Sequence, residues 1–199
     1  MVIGVDEVGR GPLAGPVTVG VVMCTQQTYG RLKRNRKLPT RGFDSKKLSA
    51  EMRQQYAETL EKLSEENIIQ YEVVHVSHSI IDSKGLSFAI RKAMASCFSQ
   101  LAIPETSIIL LDGGLKAPEQ FRKQKTIIRG DEKEKIISWA SILAKVSRDK
   151  LMVRAAKKFP QYGFEVHKGY GTRSHREAIL HSGLSAFHRK SFCKNLTKI

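Results

Sequence analysis

Two valine-rich runs, residues 2–8 and 17–23, flank the octapeptide Gly9-Arg-Gly-Pro-Leu-Ala-Gly-Pro16, and this opening constrains the chain more than any other stretch. β-Branched residues on either side of a glycine/proline segment predict two strands joined by a loop. Asp6 and Glu7 stand inside the first run. Two adjacent charges in an apolar strand are costly unless they are paired or hold a metal ion. Successive strand residues point to opposite faces, so Asp6 is expected to face one layer while the coming turn aims Glu7 elsewhere.

The rest of the chain alternates between strand and helix signals. Residues 25–43 are polar, basic and without period, and predict a loop. Ser49 is placed to cap a helix running to about Leu63. Residues 67–76 alternate and predict a strand; residues 79–101 predict a helix with a break at Gly85. The short apolar run 107–111 has the character of a buried central strand, and 126–128 is a candidate for another. From Glu132 to Phe159 apolar residues recur at helical spacing until Pro160 stops the run. A loop with Gly163, Gly169 and Gly171 follows, then a helix from Thr172 to about Ser182. These elements predict an α/β or α+β chain with a basic helical tail, organised as one domain over 1–199.

Charge is unevenly spread. Lys and Arg total 34 against 19 Asp and Glu, a net charge of +15. Residues 145–199 carry 13 of the basic residues and only 3 of the acidic ones, and a second basic cluster spans 31–37. An excess of this size points to a polyanionic partner, nucleic acid before membrane. The longest apolar stretch, near 17–24, falls far short of the roughly 20 residues that cross a bilayer. Asp6, Glu7 and Arg10 occupy the place where a signal peptide needs an apolar run. Three cysteines with no CxxC spacing argue against a disulfide framework or a zinc knuckle. A cytoplasmic protein is expected.

Acidic residues are scarce, so their positions are informative. Besides Asp6 and Glu7, Asp112 ends the apolar run Ile108-Ile-Leu-Leu111, at the strand edge where open α/β sheets place ligands. Asp131 follows Arg129-Gly130 at the start of the long helix. Read alone, Asp131 is equally an N-cap and Asp112 a turn opener. Taken together, four carboxylates without His or Cys beside them select Mg²⁺ or Mn²⁺ over zinc. Two such ions can clamp a phosphodiester for hydrolysis while basic flanks hold the strand. No Walker loop, HExxH or GxSxG motif is present.

The segment Asp6-Glu-Val-Gly-Arg-Gly-Pro-Leu-Ala-Gly-Pro-Val17 resembles the signature of the ribonuclease HII family. Asp44-Ser-Lys-Lys-Leu48, Asp112-Gly113, Gly130-Asp131, Ala140-Ser-Ile-Leu-Ala-Lys-Val146, Arg148-Asp149, His167-Lys-Gly-Tyr-Gly-Thr172 and His188-Arg-Lys-Ser-Phe192 follow in the family's order. The sister group, ribonuclease HIII, lacks the Gly-Arg-Gly form. Residues 25–43 depart from the pattern in being longer and more basic.

The resemblance implies an α/β fold of ribonuclease H type, a mixed central sheet flanked by helices, with about 160–199 a basic helical extension that binds substrate. It implies that Asp6, Glu7, Asp112 and Asp131 form a catalytic metal site for Mg²⁺ or Mn²⁺. It implies endonucleolytic cleavage of RNA in RNA–DNA hybrids and 5′ of single ribonucleotides in duplex DNA, leaving 3′-hydroxyl and 5′-phosphate ends, in ribonucleotide and RNA-primer removal. Gly9, Arg10 and Gly11 would read the ribose 2′-hydroxyl, largely through backbone groups, and Tyr170 would bond that hydroxyl and pack on the next, deoxy, sugar. Lys46, Lys145, Arg148 and Lys168 are candidate phosphate contacts. The protein is expected to be a monomer without membrane attachment; a sliding-clamp partner is left open.

Two other readings stand beside this one: a structure-specific DNA nuclease of the same acidic-cluster superfamily, and a binding module whose carboxylates are only caps and turns. Asp149 is expected to pair with a nearby base and Trp139 to lie in the core. His167 is expected to be a satisfied histidine, and Ser141 has no His partner at nucleophile spacing.

Overall fold

The computed structural model describes residues 1–35, 38 and 48–196. Both valine-rich runs are strands, β1 (Val2–Val8) and β2 (Val17–Cys24), paired antiparallel with Asp6 opposite Gly20. β3 (Gln70–Val76) adds antiparallel to β2, while β4 (Ile108–Asp112) and β5 (Gln124–Ile127) add parallel on the other side of β1. The mixed five-stranded sheet has the order β3-β2-β1-β4-β5. β1 is its central strand, so a residue at the end of β1 sits in the middle of the sheet's edge.

Helices cover both faces. α4 (Leu86–Gln100) packs on one, burying Ile90, Met94, Cys97 and Phe98 with Ile3, Val5, Val19 and Val21. α2 (Ala50–Glu65) and the first half of α6 (Lys135–Lys158) pack on the other, with Trp139 fully buried against Val2, Val22 and Leu60. Residues of odd and even number along β1 go to opposite layers. Asp6 therefore shares the α6 face, and Glu7 the α4 face. α6 rides directly on β1: a side chain at Gly4 would meet the Ile136 carbonyl at 2.2 Å. The first half of α6 is consequently buried all round, more deeply than its one-sided apolar period predicts.

The second half of α6 anchors a third cluster, in which Ala14, Met152, Tyr162, Phe164 and Ile179 close over the loop after β1. Short helix α7 (Phe164–His167) and α8 (Arg173–Ser182) complete this layer. Among the described residues no helix is long and apolar enough to cross a membrane.

Several local expectations hold. Ser49 caps α2 by accepting from Met52 N–H, Thr172 caps α8 by accepting from His175 N–H, and Gly85, at φ +84°, separates α3 (His78–Lys84) from α4. Others are corrected. The stretch expected to be a loop from residue 25 begins with α1 (Gln26–Leu32), capped by Thr25. Its single buried position, Leu32, gives no apolar period, which is why the sequence conceals it. β3 starts at Gln70 rather than 67 because Asn67 takes the left-handed conformation after α2, one that Asn tolerates better than most residues. The helix expected from Glu132 is two, α5 (Gly130–Lys133) and α6, separated at Glu134, which is extended.

Candidate active site

The turn from β4 into α5 explains how two distant carboxylates meet. Asp112, the last residue of β4, accepts a hydrogen bond from Gly130 N–H at 2.5 Å, which holds the start of α5 against the strand end. Asp131, the next residue, is thereby carried to the same edge, buried in the first turn of α5. It is not the N-cap; that position is Arg129, in the left-handed region. Asp6 and Glu7 reach this edge from β1. One cleft of about 580 Å³ is lined by Asp6, Glu7, Asp112 and Asp131 together with Gly9, Arg10, Gly11, Arg53, Ser141, Lys145 and Tyr170.

Burial sets the electrostatics. It pushes the Asp6 carboxyl well above the usual range, and the charges of Glu7 and Asp112 push it further. The Ser141 hydroxyl and the Glu7 N–H, the latter at 2.7 Å, donate to Asp6 and oppose that shift. Glu7 is also raised by burial, partly offset by the Arg10 guanidinium 2.8 Å from its Oε1. Its Oε2 is buried with no hydrogen-bond partner.

The residues fit a hard divalent cation: the donor set is all oxygen, one buried carboxylate oxygen is unpartnered, and desolvation disfavours charges that a cation would compensate. Among the described residues no three or more His, Cys, Asp or Glu stand close enough to form a ready-made ligand cluster. Four like charges in one cleft repel one another, so a common centre requires a cation to draw them in.

The loop side is built differently. Gly9, at φ +89°, could not carry a side chain, which would meet Arg148 Nε at 2.4 Å. Gly11 has no such reason: its φ is ordinary and a Cβ there would meet nothing within 4 Å. The open space above it is the cleft. Tyr170 is 40% exposed, with the Arg148 guanidinium 5.9 Å from its ring centre.

Its backbone is held by a directional relay. Ser185 N–H donates to His188 Nδ1 at 2.9 Å, so the neutral His188 ring carries its proton on Nε2 and donates to His175 Nε2 at 3.0 Å. His175 then carries its proton on Nδ1 and donates to the Tyr170 carbonyl at 2.9 Å. Burial lowers both imidazoles to about 4. His167 is likewise satisfied, between Tyr162 O and Gly169 N–H.

The basic candidates separate. Lys145 lines the cleft while pairing with Asp149 at 2.9 Å. Lys168 lines an adjoining groove with Arg53, Lys150 and Arg154. Lys46 lies outside the described residues. Arg148 is corrected: expected to touch phosphate, it is fully buried and donates to the carbonyls of Pro16, Lys168 and Ala14. The sequence was read for Ser141 only as a nucleophile, and for Arg53 and Arg189 no role in the site was expected. A polar residue inside a mostly apolar helical stretch was the available signal for Ser141, and a basic residue in the first turn of the Ser49-capped helix the signal for Arg53.

Residues 3–195 match the Ribonuclease HII family. The chain belongs to that family. A ribonuclease HII from Caldicellulosiruptor bescii is 41% identical over 199 residues, covering 100% of this chain and 89% of the relative. The Archaeoglobus fulgidus ribonuclease HII, solved in complex with PCNA, superposes with a TM-score of 0.72 at 27% identity, covering 100% of this chain and 98% of that one. Bst-RNase HIII, solved with Mn²⁺, shares the fold alone, with a TM-score of 0.67 and 16% identity over 100% of this chain and 70% of that one. Ribonuclease HII enzymes are ribonuclease H endonucleases acting on RNA in RNA–DNA duplexes, and that is the activity class of this chain.

Proposed function

We propose that this chain is a divalent-metal-dependent endonuclease that cuts the RNA strand of RNA–DNA hybrids and cuts 5′ of single ribonucleotides embedded in duplex DNA, leaving 3′-hydroxyl and 5′-phosphate ends. The observation that carries the reading is one cleft lined both by Asp6, Glu7, Asp112 and Asp131 and by Gly9–Gly11 and Tyr170. Asp6, Glu7, Asp112 and Asp131 hold Mg²⁺ or Mn²⁺, in keeping with their all-oxygen donors and with the Mn²⁺ in Bst-RNase HIII. The bound ions supply Lewis-acid stabilisation of the charge that gathers on a phosphodiester. Ser141 orients Asp6, and Arg10 screens Glu7.

The backbone of Gly9–Gly11 reads the 2′-hydroxyl, the one group that separates RNA from DNA at a given position. Gly11 lets a sugar approach because it places nothing in the cleft. Tyr170 offers its exposed ring to the following deoxy sugar and favours an RNA-to-DNA junction. Lys145, Lys168 and Arg53 contact phosphate, positioning the duplex without reading its sequence. One catalytic domain spans 1–199, with about 160–199 as its substrate-binding extension, and it works as a monomer in ribonucleotide and primer removal in the cytoplasm. Because the Archaeoglobus relative was solved with PCNA, a sliding clamp is the partner class to test.

The deciding experiment is cleavage of an end-labelled DNA duplex containing one ribonucleotide, beside an all-DNA duplex and an RNA–DNA hybrid, with Mg²⁺, Mn²⁺ or chelator. A metal-dependent cut 5′ of the ribonucleotide with the all-DNA control intact is expected. Cutting of both DNA duplexes, or binding without any cut, contradicts the reading.

A further inference from the structure

Beneath the Gly9–Gly11 loop lie two guanidinium groups, Arg148 and Arg189, both fully buried. Among the described residues neither forms an ion pair with a carboxylate. Burying two like charges side by side is unfavourable, so a purely structural brace would be better built from neutral donors. What the pair holds is informative. Arg189 donates from Nη2 to the Gly9 carbonyl at 2.7 Å, from Nη1 to Arg10 at 3.0 Å and from Nε to Gly15 at 2.9 Å. Arg148 takes the carbonyls of Ala14 and Pro16 and crosses to Lys168 O, two residues before Tyr170. A rigid planar fork holds three carbonyls in fixed, divergent directions, which the single compact ammonium of a lysine does not.

The consequence follows from peptide geometry. In a trans peptide the C=O of one residue and the N–H of the next point in opposite directions, and the described residues contain no cis bond. With the Gly9 and Arg10 carbonyls turned inward onto Arg189, the Arg10 and Gly11 N–H groups are turned outward. Neither N–H donates to a partner among the described residues, and both residues line the cleft. The Arg10 side chain is committed to Glu7, which leaves the backbone as the donor surface.

We propose that Arg189, braced by Arg148, is a positioning residue for 2′-hydroxyl recognition: by holding the Gly9 and Arg10 carbonyls inward it presents the Arg10 and Gly11 N–H groups to the sugar of the ribonucleotide. The proposal rests on the ribonucleotide-reading role of Gly9–Gly11 given above and adds what sets that role. Three hydrogen bonds fix the segment that carries Arg189. The Arg189 N–H donates to Leu13 O, and Asp82 on α3 accepts the N–H groups of the next two residues, Lys190 and Ser191. The C-terminal segment is thereby tied to the loop after β1.

The test compares wild type with Arg189→Lys, which keeps a positive charge and loses the fork. On a duplex with one ribonucleotide, kcat/KM is expected to fall about 100-fold, as a misplaced reactive group requires. Affinity for the all-DNA duplex, measured without divalent ion, is expected to stay at the wild-type value, because that duplex has no 2′-hydroxyl to read. Wild-type cleavage by a folded Arg189→Lys, or an equal loss of affinity for both duplexes, overturns the proposal. If circular dichroism shows the variant unfolded, amide NMR on the wild type decides. The Arg10 and Gly11 signals should shift with the ribonucleotide duplex and not with its all-DNA counterpart, and an identical response to both refutes the role. Failure of the wild type to cut at the ribonucleotide defeats the functional reading itself, a result separable from either outcome for Arg189.

Discussion

On the acidic side of the cleft, Asp6, Glu7 and Asp112 crowd like-charged carboxylates into a shared space, and burial raises Asp6 and Glu7. On the loop side, Arg148 and Arg189 are buried and donate to backbone carbonyls. The first region uses side chains that need a partner from outside. The second is saturated internally, and on the proposed reading it is its backbone that meets substrate. A basic chain that acts on a polyanion need not aim every buried cation at phosphate: here two of them shape a loop instead.

The comparison can be broken most sharply on the acidic side. Asp112→Asn removes a candidate ligand, and single-turnover cleavage should drop by more than about 100-fold, since even residues behind the ligands of a metal site are worth about 10- to 100-fold. Cleavage near the wild-type rate would remove Asp112 from the chemistry.

The loop side has its own signature in acid. His175 and His188 titrate near 4 in the fold and near 6.5 in an unfolded chain. Between those values the unfolded state binds more protons, so stability is full above about pH 6.5 and declines toward pH 4, on the order of a few kcal/mol for the coupled pair. Urea unfolding at pH 7 and pH 5 measures it. A midpoint that holds steady or rises in acid would mean the relay is not neutral.

Tyr170→Ala should lower cleavage at single ribonucleotides by about tenfold, the scale of one lost stacking contact, and spare long hybrids, which lack a unique junction. Equal losses on both substrates would reduce Tyr170 to a packing residue. The smallest effect belongs to Lys145→Ala: a modest rise in KM for every duplex, and a salt dependence of binding shallower by about 1 in slope. An unchanged slope would take Lys145 off the phosphate track.

The acidic side was legible because carboxylates in apolar surroundings are conspicuous: Asp6 and Glu7 interrupt a valine strand, and Asp112 ends one. Strand and helix ends were legible wherever a cap or breaker marks them, as at Ser49, Gly85, Pro160 and Thr172. α1 was not, because a helix that buries only Leu32 has no period to read. On the loop side Arg148 was misread, for a related reason. Arginine in a basic tail reads as surface, and nothing local distinguishes Arg148 and Arg189, which are buried by tertiary contacts with residues 9–16 more than 130 positions away. The His188–His175 relay is hidden in the same way, since its partners come from separate elements of the C-terminal layer.

The separation of cutting from reading is tested most directly by measuring how Asp112→Asn binds a duplex with one ribonucleotide and its all-DNA counterpart, without divalent ion. The account predicts that this variant, unable to cut, still binds the ribonucleotide duplex more tightly, because Gly9–Gly11 and Tyr170 are untouched. Equal affinity for the two duplexes, where the wild type discriminates, would contradict it and make the two sides of the cleft a single device.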